Sequence, residues 1–143
     1  MAKFGYQQNG MQDPRWIAVD TYSLSHLHPA SQRTPSNAAL EHARSTSEKK
    51  GLPDIAVSPS QGNYLKIQVQ LVRVKNILEV GTLGGYPTVW LASASPDVGV
   101  TTVKVDAHHV EVAKANSTQV GVVDGIDVQL GACVADSSRE ELQ

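Results

Sequence analysis

Apolar residues recur at helical spacing through the first half of the chain and in short uninterrupted runs through the second, with the change near residue 76. After Asp13-Pro14, the segment RWIAVDTYSLSHL places Trp16, Ile17, Val19 and Leu24 so as to predict an amphipathic helix. Its apolar face must find a partner. The Pro/Ser/Gln stretch over 29–37 reads as a linker, and Ser36 is placed to cap a second helix running to about Lys50, stopped by Gly51 with Pro53 just beyond. That helix is mostly polar outside Leu40. Ser58-Pro59-Ser60-Gln61 has the form of a capping box and predicts a third helix through Tyr64, Leu65, Val69 and Val72.

From residue 76 onward the units alternate: a strand over 77–80, a helix over about 87–95, a strand over 100–105, a helix over about 108–118 and a strand over 126–130. Strand–helix alternation of this kind predicts a parallel sheet with right-handed crossovers. Ile77, Leu78 and Val80 read as a strand covered on both faces, because helices on both sides of a parallel sheet leave no wet face. The closing ADSSREELQ reads as the opening of one more helix, with Asp136 or Ser137 as cap. The organisation is therefore a flexible N-terminus over 1–13, a helical segment over 14–75 and an α/β segment over 76–143.

The first strand runs into ILEVGTLGGYPT, residues 77–88, where glycines separate an apolar run from a helix start. Gly81, Gly84 and Gly85 allow positive φ or the close approach of a ligand, and Pro87 suits a first helical turn. The N–H groups at a helix start favour a negatively charged ligand group, phosphate or carboxylate. A dinucleotide site would read G-x-G-x-x-G, whereas the spacing here is Gly81-x-x-Gly84-Gly85. S-adenosylmethionine is the other common ligand of such a loop, its methionine carboxylate at the glycines and its ribose at the end of the second strand. A purely structural role, serving close helix–strand packing, is the plain alternative.

Length and composition narrow the partners. A chain of 143 residues with 41% apolar content and a net charge of −2 is the size of one ordinary domain with a modest core. No Lys/Arg run supplies the concentrated basic surface that nucleic acid or an anionic membrane requires, and no segment is long and apolar enough to span a bilayer. One cysteine excludes an internal disulfide framework, and the polar MAKFGYQQNG start lacks a secretory signal, so the expected compartment is the reducing cytoplasm. The Asn116 sequon is then without meaning. His108, His109 and Glu111, like His26 and His28, read as solvated positions rather than metal ligands, and Cys133 as a small filler. Trp16 and Trp90 read as core or interface packing.

Taken together, GLPDIAVSPSQGNYL, ILEVGTLGGYPTVWLA, VDAHHVEVAKAN and VQLGA resemble, in order and spacing, the N-terminal part of the cation-dependent O-methyltransferases that include catechol and caffeoyl-CoA O-methyltransferases. The resemblance covers about residues 14–140. It implies a Rossmann-like methyltransferase half: three parallel strands in the order 3-2-1, preceded by N-terminal helices, with the C-terminal strands missing. It also implies S-adenosylmethionine as methyl donor, a divalent metal, and a small catechol-like or phenolic acceptor. In the donor site Glu79, Gly81, Thr82, Leu83, Gly85 and Tyr86 match the family's loop, and Val57 and Ser58 match the segment lying over the donor. Asp106 follows the second strand, and Ala132 and Cys133 fall where the adenine edge is contacted.

Three departures from the family pattern shape the functional expectation. Lys104 stands where an acidic residue receives both ribose hydroxyls, and a lysine offers donors but no acceptor, so donor binding is expected to be weakened or lost unless Asp106 reaches round. Pro87 replaces a serine or threonine that serves the donor carboxylate. The family's metal ligands, general base and acceptor pocket have no counterpart before Gln143, so no metal or catalytic residues are assigned. The chain is then either an O-methyltransferase that relies on a partner chain, or a non-catalytic pseudo-methyltransferase serving as a dimerisation or partner-binding module. Its first strand, left at an edge, is expected to meet a second copy or another chain.

Overall fold

The computed structural model of the protein describes residues 14–27, 35–119 and 125–132. The expected flexible N-terminus, the larger part of the 29–37 linker, Cys133 and the helix start at Asp136 or Ser137 lie outside them. Eight elements follow in chain order: α1 (Pro14–Leu27), α2 (Asn37–Lys49), α3 (Pro59–Val72), β1 (Asn76–Val80), α4 (Tyr86–Ala92), β2 (Gly99–Lys104), α5 (Ala107–Gln119) and β3 (Ile126–Leu130).

Local chemistry explains where the helices begin and end. The Ser36 hydroxyl accepts the Ala39 N–H at 3.1 Å to start α2, and Gly51, at φ +76°, ends it as expected. The capping box is formed in full: Ser58 Oγ accepts the Gln61 N–H at 3.2 Å while the Ser58 N–H donates to Gln61 Oε1 at 2.8 Å. Asp20 of α1 ties itself to the same turn, accepting the Ser58 hydroxyl at 3.0 Å and the Ser60 hydroxyl, so the two helices are pinned where α3 starts. α4 stops at Ala92, three residues short of the sequence pattern. The Ala94 N–H turns back to the Leu91 carbonyl at 3.1 Å, a tightened last turn, and Pro96 lies just beyond.

The three strands form one parallel sheet in the order β1-β2-β3, with Ile77 opposite Val100 and Val100 opposite Ile126. This is the 3-2-1 order expected from the sequence. Ile77, Val100 and Ile126 face Val69, Leu91, Ala92 and Val98, while Val128 meets Val110 and Ala113. α3, α4 and α5 therefore cover one face. The expectation that β1 is covered on both faces is corrected: Leu78 and Val80 on the other face are 63% and 61% exposed. The reason is register, since Leu78 and Val80 pair with Thr101 and Val103, opposite to the face the described helices reach.

Trp90 is fully buried at the crossing of α3 and α4, while Trp16 and Val19 of α1 stay 66% and 63% exposed. A second cluster joins Leu40 and Ala43 of α2 to Tyr86, Val89 and Trp90 of α4. Asn116 has no exposure at all, so its sequon is closed to modification in the folded chain.

Gly62 sits directly against the indole of Trp90, where an added Cβ would overlap the ring. In an exposed helix Gly→Ala gains about 1 kcal/mol, but overlap with a rigid buried ring costs about 1–3 kcal/mol. We therefore expect Gly62→Ala to lower stability in urea denaturation. A stabilised variant would show that the α3–α4 seam is looser than described.

Candidate functional site

The carboxyl ends of the three strands lie side by side, the end of a parallel sheet at which ligands bind in open α/β folds. Two bonds carry the ladder past the strands: Gly81 N–H to the Val103 carbonyl at 2.8 Å and Gly131 N–H to the Lys104 carbonyl at 3.0 Å. They fix where each loop leaves the sheet.

The loop after β1 is divided in its burial. Gly81 is exposed at φ +92°, and among the described residues no atom beyond its chain neighbours lies within 4 Å of where its Cβ would be, so the backbone is open to a ligand there. Gly84 and Gly85 are buried instead. A Cβ on Gly84 would overlap the Ser47 hydroxyl, and one on Gly85, at φ +81°, would come within 3.4 Å of the Ala113 backbone. Two of the three glycines therefore serve packing, as the plain reading of the sequence allowed. α4 then begins without a side-chain cap, and Pro87 removes one of its first N–H groups.

Beside Gly81 runs a short chain of hydroxyls ending in a carboxylate. Thr88 Oγ1 donates to Glu79 Oε2 at 2.6 Å, which leaves Thr82 to donate to Thr88 at 3.2 Å. Thr82 and Thr88 are buried, and Glu79 is half-buried. Hydrogen bonds to an ionised acceptor are about twice as strong as neutral ones, so Glu79 is held firmly by one oxygen. Oε1 is its remaining acceptor.

At the end of β2, Lys104 is partly buried and pairs in register with Leu130. Asp106 is exposed and caps α5: its Oδ1 accepts the N–H groups of His108 at 2.9 Å and His109 at 3.1 Å. The backbone N–H of His109, then the charge of that residue and the His108 N–H, hold its carboxyl below the usual carboxylate range. His108 Nε2 reaches the Lys50 carbonyl at 2.9 Å; a carbonyl only accepts, so Nε2 carries the proton.

Two cavities flank the segment 55–58. One, of about 510 Å³, is lined by Ser47, Leu52, Asp54, Leu83, Gly84 and Tyr86. The other, of about 550 Å³, is lined by Trp16, Asp20, Ile55, Val57, Ser58 and Gln61. Tyr86 is buried in the core, and burial pushes its phenol up to about 12, so it remains a neutral donor.

The structure thus brings Glu79, Gly81 and Thr82 together at the end of β1, with Leu83 and Tyr86 on the neighbouring cavity and Gly85 packed on α5. Val57 packs against the Leu40–Trp90 cluster, and Ser58 is occupied in capping α3. Ala132 is exposed after β3. Sequence reasoning missed Thr88, whose hydroxyl stands one residue beyond Pro87, and Asp20 and Asn116, whose partners lie far along the chain.

The O-methyltransferase family pattern matches residues 30–141. The chain belongs to the O-methyltransferase family. It is 44% identical over 123 residues to the O-methyltransferase imqG of Aspergillus flavus, covering 86% of this chain and 49% of that protein. A catechol O-methyltransferase of Niastella koreensis is 39% identical over 97 residues, 67% of this chain and 44% of that protein. Among solved structures, the Bacillus cereus O-methyltransferase in complex with SAH superposes at TM-score 0.75 with 35% identity, covering 83% of this chain and 52% of that one. TomG from Streptomyces achromogenes in complex with SAM superposes at 0.73 with 33% identity, covering 86% and 53%. The chain spans about half the length of the relatives it matches.

Asp106 gives the chain a pH dependence of defined sign. Its folded pKa is depressed, so its contribution is complete above the ordinary carboxylate range and is lost as pH falls through the folded value. Asp106→Asn keeps a good cap but cannot titrate. Between about pH 5 and pH 3 the wild-type melting temperature should therefore fall faster than that of Asp106→Asn. Parallel melting curves across that window would remove the capping assignment.

Proposed function

We propose that the chain provides the donor-binding half of an S-adenosylmethionine-dependent O-methyltransferase that methylates a small catechol-like or phenolic hydroxyl in the cytoplasm. The observation that carries this reading is the open backbone of Gly81 beside the anchored carboxylate of Glu79. A methionine-type amino acid brings an ammonium and a carboxylate. Glu79 Oε1 accepts from the ammonium, while Gly81 admits the ligand without a side chain in its path. Those residues fit the amino-acid end of the donor, and the SAH- and SAM-bound relatives support the same ligand.

When bound, S-adenosylmethionine supplies an electrophilic methyl group on its sulfonium. The chain's own residues hold and orient the donor. Glu79 is fixed by Thr88 so that its free oxygen has one direction, and a fixed direction is what an in-line transfer requires of the donor's position. The ribose end fits less well. Lys104 has no acceptor for a diol, and Asp106 already spends Oδ1 on two backbone N–H groups. Among the described residues no group of three His, Cys, Asp or Glu side chains could hold a metal, and no step is assigned to one. The described helices include none long and apolar enough to cross a membrane.

Lys104 and the engaged Asp106 favour one second reading, a pseudo-methyltransferase that uses the fold as a dimerisation or partner module. In both readings we propose that β1, paired on one side by β2 and carrying exposed Leu78 and Val80, meets a second copy or another chain. Light scattering should then give a mass above that of one chain, and a stable monomer at micromolar concentration would remove this partner proposal.

Calorimetric titration with S-adenosylmethionine and S-adenosylhomocysteine separates the two functional readings. Saturable heat is expected for the donor-binding half, with Lys104→Glu tightening binding by about tenfold or more through a charge-assisted pair. No heat from wild type up to millimolar ligand would leave the pseudo-methyltransferase. A Lys104→Glu variant that binds more weakly than wild type would overturn the ribose assignment.

A further inference from the structure

We infer that Asn116 is a positioning residue for the glycine loop, an inference that rests on the proposed role of that loop as the donor berth. Asn116 lies in the last turns of α5 with no exposure. Its Nδ2 donates to the Gly84 carbonyl at 2.7 Å and to the Ala43 carbonyl of α2 at 3.2 Å. One amide nitrogen therefore ties three parts of the fold together: α5, the interior of α2 and the loop after β1.

The chemistry of that nitrogen suits the task. Both partners are carbonyls, which only accept, so the side chain must present two donors without bringing a charge into the interior. An aspartate would set oxygens against oxygens, and a leucine of similar size would leave the Gly84 carbonyl unpaired. Asn116 Oδ1 is buried without a partner among the described residues. A buried unsatisfied acceptor is unfavourable, and asparagine is a poor residue for a helix interior. Neither cost is explained by helix stability, whereas both accompany a group placed for its donors.

Holding Gly84 has a defined consequence for the open end of the loop. Gly84 is hemmed in by Ser47 and Leu52, and Gly85 rests on Ala113, one turn before Asn116 on the same face of α5. With the far half of the loop fixed by α5 and the near end by the Gly81–Val103 bond, the path through Gly81, Thr82 and Leu83 has little freedom left. Asn116 acts on a ligand only through this path.

The test uses the full chain with Asn116→Ala, Asn116→Ser and a control, Val110→Ala, another buried side chain of α5 that packs against β3 rather than the loop. Amide hydrogen exchange over residues 82–86, compared at matched global stability, is read beside calorimetry with S-adenosylhomocysteine. Loss of the bond to Gly84 should raise loop exchange by about tenfold beyond the control, with a similar loss of affinity. Asn116→Ser serves if the alanine variant does not fold. Equal loop exchange in the Asn116 and Val110 variants would overturn the inference, as would a loosened loop that binds S-adenosylhomocysteine as tightly as wild type. A wild type that takes up no S-adenosylhomocysteine, with the loop loosened selectively by the Asn116 variants, removes the donor reading and supports the clamp.

Discussion

The indole of Trp90 fills the notch that Gly62 leaves in α3, and the placement of the helices on the sheet follows from that contact. Trp90 also belongs to the cluster that joins α2 to α4, so one side chain sets the distances among three helices. Truncating a buried aromatic costs about 3–5 kcal/mol, against a total stability of about 5–15 kcal/mol for a domain. Among the described residues no other fully buried side chain is as large. Because α4 starts where the glycine loop ends, the same contact decides where the loop arrives.

The polar groups of the loop are arranged on that apolar frame. The bond from Gly81 to Val103 makes the first loop residue a continuation of the sheet, so its position is inherited from β2. Thr88 reaches back from the first turn of α4 to Glu79 on β1, and Thr82 completes the relay from within the loop. These groups are buried or half-buried, and an unpaired hydroxyl in such a place costs about 1–3 kcal/mol. Pairing them with one another lets a carboxylate stand at a strand end with one oxygen committed and one available. Asp20 does comparable work at the start of α3, where its carboxylate joins α1 to the Ser58–Ser60 turn.

What the sequence shows clearly is local chemistry, and what it hides is contact between distant segments. The capping box at Ser58 and the glycine stop at Gly51 are decided within a few residues, and both form as the sequence indicates. βαβ alternation makes the parallel sheet legible, and the strand order follows from the family resemblance. The cover over β1 is not legible, since an apolar run looks the same whether one face or both are packed; Leu78 and Val80 show that here the described helices reach one. The glycines of the loop also look alike in sequence. Only the neighbours Ser47 and Ala113, contributed by α2 and α5, reveal that Gly84 and Gly85 are packing residues while Gly81 is open. Asn116 carries a sequon as its one local signal, and that signal points away from a buried role.

The two ends of the candidate donor site are held by different physics, and this bears on how the family pattern can drift. The β1 end is locked by core packing, the Thr88–Glu79 bond and the Asn116 amide, so a change there disturbs the fold as well as any ligand. The β2 end is not locked in that way. Lys104 lies outside the core clusters beside Leu130, which is 60% exposed, and Asp106 is an exposed helix cap. Lys104 is partly buried at the strand end but belongs to none of these clusters, so a change of residue there disturbs the core less than one in the loop would. In the proposed donor site the change to lysine would reverse the charge facing a ribose diol. The demands of folding alone therefore hold the loop more tightly than the proposed ribose contact, in keeping with the match at Gly81 and the departure at Lys104.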